Sequence, residues 1–156
     1  MIMLMHSDYP DFNFIQGTDI EPELLLDFWH RNEITITPTD TSEKIRSASL
    51  DYPQLFIVAL QKSPSAPDLR PPIVAGTVWG TFDGRRGYIA HLAVEKRYRG
   101  CGLGRHLMNL AEEEFRKMGV YKIHLFVEAR NHTVGDFYNR LGYVKREELT
   151  VYSKTL

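Results

Sequence analysis

Residues 88–118 read YIAHLAVEKRYRGCGLGRHLMNLAEEEFRKM, and this stretch decides the fold of the chain. Residues 88–94 form an apolar and aromatic run with one histidine, which predicts a strand buried on both faces. A short basic loop rich in glycine follows. From Leu103 to Met118 the apolar residues are then spaced four, three, one, four and three positions apart, which predicts one face of an amphipathic helix. The stretch therefore predicts a central strand, a glycine loop and a long helix.

The glycine loop favours an anion, above all a phosphate or a pyrophosphate. The first turn of a helix has backbone N–H groups without internal partners, and the macrodipole adds partial positive charge at the same end. Glycines let a ligand approach the backbone closely, and Arg99 and Arg105 add full charges on either side of them. We therefore expect an anion at residues 99–105.

The spacing of the glycines excludes two common nucleotide motifs. A P-loop needs G-x-x-x-x-G-K-[ST], and no such stretch occurs in the chain. A dinucleotide fingerprint needs G-x-G-x-x-G, and counting from Gly100 puts Arg105 at the third glycine. That fingerprint should also open the first βαβ unit, whereas this loop lies past the middle of the chain.

Two motifs resemble those of one known family. Residues 99–104, RGCGLG, fit R/Q-x-x-G-x-G/A, the acetyl-CoA motif of the GNAT superfamily of N-acetyltransferases. The family places V-x-P-x-Y-R-G-x-G-x-G at the strand end, and residues 94–104 follow it with Lys96 in place of proline. Further along, the family places N-x-x-A-x-x-[FL]-Y-x-x-x-G-[FY], and residues 131–143, NHTVGDFYNRLGY, follow it with Val134 in place of alanine. The chain thus resembles a small bacterial single-domain GNAT acetyltransferase, and the resemblance covers residues 73–145.

The resemblance implies an α/β fold in which a mixed, mostly antiparallel central sheet has helices on both faces. It also implies a single N-acetyltransferase domain over residues 1–156. The implied activity is transfer of the acetyl group of acetyl-CoA directly to a primary amine of a small molecule. Two alternatives stay open, namely acetylation of a peptide or protein amine, and a non-catalytic acyl-CoA-binding module.

The same resemblance implies the residues that bind acetyl-CoA. The pantetheine arm should pair with the backbone of the central strand at Leu92, Ala93 and Val94. The pyrophosphate should lie on the loop and the first helical turn, formed by Arg99, Gly100, Cys101, Gly102, Leu103, Gly104 and Arg105. Asn131 should donate a hydrogen bond to the cofactor, and the alternative for it is a plain helix cap. Cys101 is expected to face the phosphates, so its thiol has no implied role in acetyl transfer.

Two residues are the catalytic candidates. The family pattern makes Tyr138 the group that protonates the departing thiolate, because a phenol has a higher pKa than a thiol; packing beside Phe137 is the alternative. The positions of the usual glutamate base map to Tyr88 or Ala90, so a strand glutamate is absent. His91 titrates in the right range and is the remaining strand candidate, although alternation places it on the face opposite Tyr88 and a core role is the alternative.

Weaker candidates for the base are four carboxylates, Glu33, Asp83, Glu95 and Glu128, or water alone. On the acceptor side, the first two helices and their connection form one wall of the site in this family. By that resemblance the candidate substrate residues are Trp29, Asn32, Glu33 and Ile34. The alternatives are a core position for Trp29 and a solvated loop charge for Glu33.

Composition limits the other functions. The 156 residues, 43% of them hydrophobic, suit one domain with its own core. The net charge of −1 argues against a general nucleic-acid binder. No apolar run reaches the length of a membrane span, and the apolar start MIMLMHSDYP lacks the features of a signal peptide, so we expect a cytoplasmic protein. No cysteine or histidine cluster has metal-ligand spacing, so no metal is expected. Many members of the family are dimers, which makes a homodimer one expected assembly.

The remaining chain supplies the other expected elements. Thr41 or Ser42 should cap the second helix, and Gly142 should stop the last one. Residues 61–72 carry four prolines and should form a surface loop, and 83–87 should form a tight turn. The predicted strands are 11–16, 55–60, 73–82, 121–128 and a closing strand over 143–155, and the predicted helices are 20–31, 42–50 and 131–141.

Overall fold

The structure is a computed structural model that describes residues 9–62 and 71–156. The chain divides into two compact units, Met1–Leu125 and Phe126–Leu156, and each is described by itself. Most of the predicted proline-rich loop, 61–72, lies outside the described residues. The expectation of one domain over the whole chain stays a prediction.

The first unit is built on a five-stranded sheet in the order β1-β2-β3-β4-β5. Strands β1 to β4 pair antiparallel with their neighbours, and β5 pairs parallel with β4. The predicted mixed, mostly antiparallel sheet is therefore confirmed. The strands are β1 Phe12–Gln16, β2 Phe56–Gln61, β3 Val74–Phe82, β4 Gly87–Val94 and β5 Ile123–Leu125.

Helices cover both faces of this sheet, as predicted. They are α1 Pro22–Arg31, α2 Ser42–Ser49 and α3 Leu103–Lys117. Pro22 opens α1, where its missing N–H costs no hydrogen bond. The side chain of Thr41 caps α2 by accepting a hydrogen bond from the backbone N–H of Lys44 at 3.3 Å. The predicted cap is thus present at the first of its two candidate positions.

Helix α3 packs closely against one face of the sheet because glycines stand beneath its large side chains. A Cβ added at Gly76 would lie 2.8 Å from Leu107, and one added at Gly80 or Gly87 would lie 2.8 or 2.6 Å from Phe115. Leu107 and Phe115 themselves are fully buried. A larger side chain at these glycines would force the helix away from the sheet, since protein interiors leave no spare volume.

The opposite face of the sheet carries the core beneath α1 and α2. Trp29 of α1 stacks with Phe56 of β2 and Trp79 of β3, with ring centroids 6.3 and 6.2 Å apart. Phe56 and Trp79 stack at 4.5 Å. Ile45 of α2 belongs to the same buried cluster. Burial of three large aromatic side chains makes this cluster a major source of stability for the first unit.

Strand β4 contains a β-bulge that sequence alternation does not predict. Its register with β3 changes between the pairs Thr77↔Ala93 and Trp79↔Ala90, so two residues of β4 oppose one residue of β3. His91 lies in this bulge with φ +49, a left-handed conformation that is uncommon for a residue with a side chain. The prediction of a strand buried on both faces is also wrong at this point, because Ala90 is exposed.

Two predicted elements near the C-terminal end are shorter in the structure. The strand predicted over 121–128 is reduced to β5. The helix predicted over 131–141 begins with a 3₁₀ stretch, Ala129–Val134, and becomes α-helical only over α4, Gly135–Arg140. Asn131 interrupts that stretch with φ −97 and ψ 41. The residues that follow it include Thr133, Val134 and Gly135, which have low helix propensity.

The closing strand predicted over 143–155 is wrong, because those residues form no strand in the structure. Alternation alone does not make a strand, which also needs a partner for its backbone groups. The predicted stop at Gly142 is confirmed, since its φ of +86 ends α4. The N–H groups of Gly142 and Tyr143 donate to the carbonyls of Asn139 and Tyr138, which is a Schellman motif.

None of the helices in the described ranges, 9–62 and 71–156, is both long and apolar enough to cross a membrane.

Candidate functional site

The glycine loop has the backbone of an anion cradle. Gly100 and Gly102 both have positive φ, +81 and +89, and Gly102 is the N-cap residue of α3. The first backbone bond across the helix start runs from the N–H of His106 to the carbonyl of Gly102, 3.0 Å away. The N–H groups of the preceding residues 103–105 therefore have no backbone carbonyl partner within the helix and are available to bind a ligand.

Space around the loop is limited at one of its glycines. A Cβ at Gly102 would lie 2.7 Å from the phenol oxygen of Tyr9, whereas nothing lies within 4 Å of a Cβ at Gly100. The ring of Tyr9 stacks on His106 of α3, with centroids 4.4 Å apart. Tyr9 therefore borders the start of α3, and Gly102 is required there both for its backbone conformation and for its small size.

Basic side chains surround the loop. The Nε of Arg99 donates a hydrogen bond of 3.0 Å to the carbonyl of Val94, which fixes the guanidinium beside the end of β4. Arg105 is exposed on the first turn of α3. The thiol of Cys101 donates to the carbonyl of Tyr98 and is exposed. Positive charge, unpaired N–H groups and permissive glycines thus occur together at residues 99–105, where the sequence predicts them.

The second half of β4 leaves one side of its backbone available. Among the described residues, β5 pairs with β4 only at Gly87–Ile89, while β3 pairs with β4 as far as Val94. The backbone of Leu92, Ala93 and Val94 therefore has no strand partner on the β5 side within those residues, and the Val94 carbonyl accepts a bond only from the Arg99 side chain. This is the geometry that an extended ligand needs if it is to add to a sheet as a strand does.

The bulge directs His91 towards the core beneath α1. Its ring lies 4.3 Å from that of Trp29 and 5.9 Å from that of Trp79. Gly80 pairs with Ile89, and both Gly80 and Gly87 face α3. Simple alternation would put His91 with Ile89 on the α3 face. The alternation that places His91 opposite Tyr88 is therefore wrong, because the bulge adds one residue and changes the face.

A buried hydroxyl fixes the backbone of the bulge. Thr77 of β3 is fully buried and donates a hydrogen bond of 2.7 Å to the carbonyl of His91. The same hydroxyl accepts a bond of 2.9 Å from the indole N–H of Trp29. Both polar groups would otherwise be buried without partners, at a cost of about 1–3 kcal/mol each. The left-handed His91 is thus held by a bond from Thr77, whose hydroxyl is itself fixed by the indole N–H of Trp29.

A carboxylate of the connection between α1 and α2 approaches the His91 side chain. Oδ1 of Asp40 lies 3.7 Å from Nε2 of His91, and the two side chains are only 15% and 17% exposed. The other oxygen of Asp40 accepts bonds of 2.7 Å from both the backbone N–H and the hydroxyl of Thr37. Nδ1 of His91 is buried and has no hydrogen-bond partner among the described residues.

Burial lowers the pKa of His91 from its ordinary value of 6.5, and the charge of Asp40 opposes that shift without cancelling it. His91 is therefore neutral at neutral pH, as a group that accepts a proton has to be. Asp40 is the functional candidate that the sequence reasoning missed. The turn-forming stretch TPTD at 37–40 signals a hydrogen-bonded loop, but nothing local shows that it reaches a strand fifty residues further along the chain.

The other carboxylates proposed as bases already accept hydrogen bonds or form ion pairs with neighbouring groups. Glu95 accepts from Nη1 of Arg31 at 2.6 Å and from Lys96 N–H at 3.2 Å. Burial alone would raise the pKa of Glu95, but hydrogen bonds from Arg31 and Asn32 outweigh it and the pKa is lowered. Asp83 accepts the N–H groups of residues 85 and 86 in the predicted tight turn, and in the second unit Glu128 pairs with Arg130.

The four candidate substrate residues follow one another at the end of α1, in different environments. Trp29 is 0% exposed, so the structure gives it the core position that is the alternative to substrate contact. Asn32 is 5% exposed; its amide donates to the carbonyl of Phe28 at 2.9 Å, and its Oδ1 is buried without a partner among the described residues. Ile34 packs against the buried cluster.

Glu33 ends α1 in an unusual conformation. Its φ is +63, and its exposed carboxylate lies 3.2 Å from Nζ of Lys96. The N–H of Glu33 donates to His30 and that of Ile34 to Trp29, which is a Schellman motif with glutamate where glycine is usual. Glu33 and His91 are the only residues other than glycine with positive φ in the described ranges, and both border the connection between α1 and α2.

The second unit contains the two remaining candidates. Tyr138 lies in α4, half-buried between the rings of Phe137 and Tyr143, at 5.1 and 6.0 Å. Burial raises the pKa of Tyr138, so its phenol keeps its proton at neutral pH. Asn131 lies inside the 3₁₀ stretch with its side chain exposed, and it caps neither that stretch nor α4, so the helix-cap alternative is wrong.

No group of three or more histidine, cysteine, aspartate or glutamate side chains in the described part of the chain could hold a metal ion. The geometry of the first unit instead combines an anion loop, an unpaired strand edge and a neutral imidazole. Comparison with known sequences agrees with this combination, since residues 22–143 match the acetyltransferase (GNAT) family. The chain belongs to this family. GNAT members transfer an acyl group from acyl-CoA to an amine acceptor, and that general activity follows for this chain.

One curated relative, acetyltransferase SG1711 of Sodalis glossinidius (strain morsitans), is 28% identical over 134 residues, which are 86% of this chain and 88% of the relative. Among solved structures, a chain of the NatC complex bound to Gag peptide and CoA superposes with a TM-score of 0.70 at 21% identity, covering 88% of this chain and 87% of its own.

Glucosamine-6-phosphate N-acetyltransferase from Arabidopsis thaliana superposes with a TM-score of 0.60 at 19% identity, covering 92% and 97% of the two chains. At these identities the two likenesses show the fold, and the predicted GNAT fold is confirmed.

Proposed function

We propose that this GNAT protein is an acetyl-CoA-dependent N-acetyltransferase that acts on a primary amine of a small molecule. The observation that carries the proposal is the loop at residues 99–104, where two glycines of positive φ precede a fifteen-residue helix with free N–H groups. Such a loop suits the pyrophosphate of a coenzyme A derivative. The solved NatC complex, a structure of the same fold, contains CoA.

The proposal assigns the cofactor two binding surfaces. The pyrophosphate lies on the loop and the first turn of α3, where the N–H groups of residues 103–105 are free, with Arg99 and Arg105 supplying charge. The pantetheine pairs with the unpaired side of β4 at Leu92, Ala93 and Val94. Asn131 donates a further hydrogen bond to the cofactor. Loop and strand edge are consecutive in the chain, which supports one continuous cofactor.

Acetyl transfer requires the acceptor nitrogen to lose two protons. The protonated amine first loses one proton to His91, and the neutral nitrogen then forms a bond to the thioester carbonyl carbon. The tetrahedral intermediate collapses, the carbon–sulfur bond breaks, and the thiolate takes the phenolic proton of Tyr138. The second proton of the nitrogen restores the Tyr138 phenol, and His91 releases its proton to water. A neutral imidazole and a protonated phenol are the states that the two pKa shifts favour at neutral pH.

A small acceptor is supported by the way the connection between α1 and α2 is attached. Ion pairs join Arg31 to Glu95 and Glu33 to Lys96, so the end of α1 is tied to the residues that follow β4. Asp40 then reaches the bulge itself. A connection attached to β4 in this way favours a small amine over an extended peptide as the acceptor.

Calorimetric titration of the purified protein with acetyl-CoA is the test of the cofactor site. We expect micromolar binding in the wild type that Arg99→Ala weakens by about tenfold or more, as for loss of a charge-assisted contact to phosphate. Arg116→Ala is the matched control, because it removes the same charge from the opposite end of α3. Absence of binding in the wild type would overturn the proposal.

A screen of primary amines, with thiol release as the readout, then tests the acceptor. Small polyamines, amino sugars, amino acids and peptides of matched charge should be compared at the same concentration. Turnover with small amines that exceeds turnover with peptides supports the proposal. Faster turnover of peptides would reassign the acceptor, and acetyl-CoA binding without any turnover would identify a binding module.

A further inference from the structure

We propose that Asp40 is a positioning residue that acts through His91: its carboxylate stabilises the imidazolium that forms on the β4 bulge when His91 takes the proton of the acceptor amine. The inference rests on the proposed function for the catalytic step, and on the geometry of the first unit for the pairing itself. The family motifs in this sequence do not include Asp40.

Both members of the pair are held in place from elsewhere. Asp40 is fixed by two bonds of 2.7 Å from Thr37, and these occupy the oxygen that faces away from His91. His91 is fixed by the bond from Thr77 to its backbone and by contact with the Trp29 ring. Because neither group depends on the other for its position, the 3.7 Å approach is a property of the fold.

The surroundings make Asp40 the dominant charge for His91. The groups that pack against the imidazole are the uncharged rings of Trp29 and Trp79. Among the described residues, Asp40 supplies the one carboxylate oxygen within 4.0 Å of a ring nitrogen of His91. A charge that is only 15% exposed is screened weakly by solvent, so its interaction with an imidazolium is stronger than that of a surface pair.

The two ring nitrogens of His91 differ in their access. Nδ1 is buried, so the acceptor amine cannot reach it, whereas Nε2 lies 3.7 Å from Oδ1 of Asp40. Nε2 therefore takes the proton of the amine, and the positive charge of the imidazolium forms beside the Asp40 carboxylate. Release of that proton restores the neutral ring.

Nuclear magnetic resonance of the protein labelled with ¹⁵N-histidine tests the pairing without any substrate. Long-range proton–nitrogen spectra follow the protonation of each ring nitrogen, and His91→Gln assigns the signals. We expect His91 to titrate at lower pH in Asp40→Asn than in the wild type, because the neutral amide no longer favours the imidazolium. An unchanged titration in Asp40→Asn would overturn the proposal.

Kinetics with an acceptor tests the catalytic role. Asp40→Asn should lower kcat with little change in KM, and should move the acidic limb of the pH profile of kcat to lower pH. The fall in kcat should be smaller than the loss of about 10²-fold or more expected for removal of the base in His91→Gln. Asp40→Glu should restore part of the acidic limb.

Glu43→Gln is the matched control, since it removes the same charge three residues away, at an exposed position on α2. It should leave both the His91 titration and kcat unchanged, and an equal effect of Glu43→Gln would overturn the proposal. A rise confined to KM in Asp40→Asn would do the same, because it would make Asp40 a binding group for the acceptor. If the spectra show the pair but His91→Gln keeps full kcat, the proposed base fails while the pair stands.

Discussion

The cofactor loop, residues 99–105, and the acceptor side, which we define as residues 29–40 together with His91, are built on different principles. The loop is local: two glycine conformations and the start of one helix create it, and its ligands are backbone groups. The acceptor side joins α1, its following connection, β3 and β4 through side chains far apart in sequence. One substitution can therefore abolish cofactor binding at the loop. On the acceptor side, each substitution should remove only the contribution of its own side chain.

The largest expected effect is on the loop. Gly102→Glu forces a side chain into a backbone with φ +89, places its Cβ 2.7 Å from the Tyr9 oxygen, and puts a negative charge beside the pyrophosphate. Affinity for acetyl-CoA should fall by about 100-fold or more, as measured by calorimetry. Gly119→Glu has a similar φ, +74, at the other end of α3 and should bind normally. If both variants bind equally well, the loop is not the cofactor site.

The next effect separates chemistry from binding. Tyr138→Phe removes the proposed proton donor but keeps the aromatic packing with Phe137 and Tyr143. We expect kcat to fall by about 10–1,000-fold in steady-state assays while acetyl-CoA affinity in calorimetry stays that of the wild type. Tyr143→Phe removes a neighbouring hydroxyl and serves as the control. An unchanged kcat in Tyr138→Phe would exclude the phenol as the acid.

A smaller effect concerns the stability of the acceptor side. Thr77→Val keeps the shape of the side chain but leaves the Trp29 N–H and the His91 carbonyl without their buried partner. The free energy of unfolding should fall by about 2–4 kcal/mol, as measured by chemical denaturation. Thr77→Ser retains the hydroxyl and should lose much less. Equal losses in the two variants would show that the methyl group, and not the hydroxyl, is what matters.

The pH dependence of stability should reveal the buried imidazole. The pKa of His91 is lower in the folded chain than the ordinary 6.5 that it regains on unfolding, so the unfolded chain binds more protons between those two values. Its contribution to stability is complete above about pH 6.5 and is lost as the pH falls through that window to the folded pKa. Denaturation at pH 7.5 and 5.5 should show a larger decrease for the wild type than for His91→Gln, and an equal decrease would contradict the assignment.

The smallest effect is expected where α1 ends. Glu33 adopts φ +63 in a Schellman motif that favours glycine. Glu33→Gly relieves about 1 kcal/mol of backbone strain, whereas Glu33→Ala loses the same exposed ion pair with Lys96 without that relief. Glu33→Gly should therefore be about 1 kcal/mol more stable than Glu33→Ala in denaturant titrations. The reverse order would show that the ion pair and not the backbone determines the stability.

The same contrast explains how far the sequence predicts this molecule. The loop was predictable because a motif of glycines and arginines specifies a local backbone, and the structure gives Gly100 and Gly102 the expected freedom. The mixed sheet followed from the resemblance to the GNAT family, and helix α3 followed from the spacing of its apolar residues. The face of His91 was not predictable, because alternation assumes a regular strand and the bulge adds one residue. Asp40 was missed because only the tertiary fold brings it to His91.

The C-terminal part shows the opposite error. Residues 143–155 alternate in the manner of a strand, yet no described residue there forms one. Its charged run KREE at 145–148 instead makes short-range ion pairs with itself, from Lys145 to Glu147 and from Arg146 to Glu148. An alternating pattern is therefore not enough to form a strand, because a strand also needs a partner strand. A single sequence does not identify that partner.

The hydroxyl of Thr77 has a consequence for how the molecule comes apart. It accepts a hydrogen bond from the Trp29 N–H and donates one to the His91 carbonyl, so the bulge and the aromatic core share one chain of hydrogen bonds. The bulge cannot relax while Trp29 stays in the core. Local opening of His91 should therefore belong to the cooperative unfolding of the core, so the amides of the bulge should exchange their hydrogens as slowly as those of the centre of the sheet.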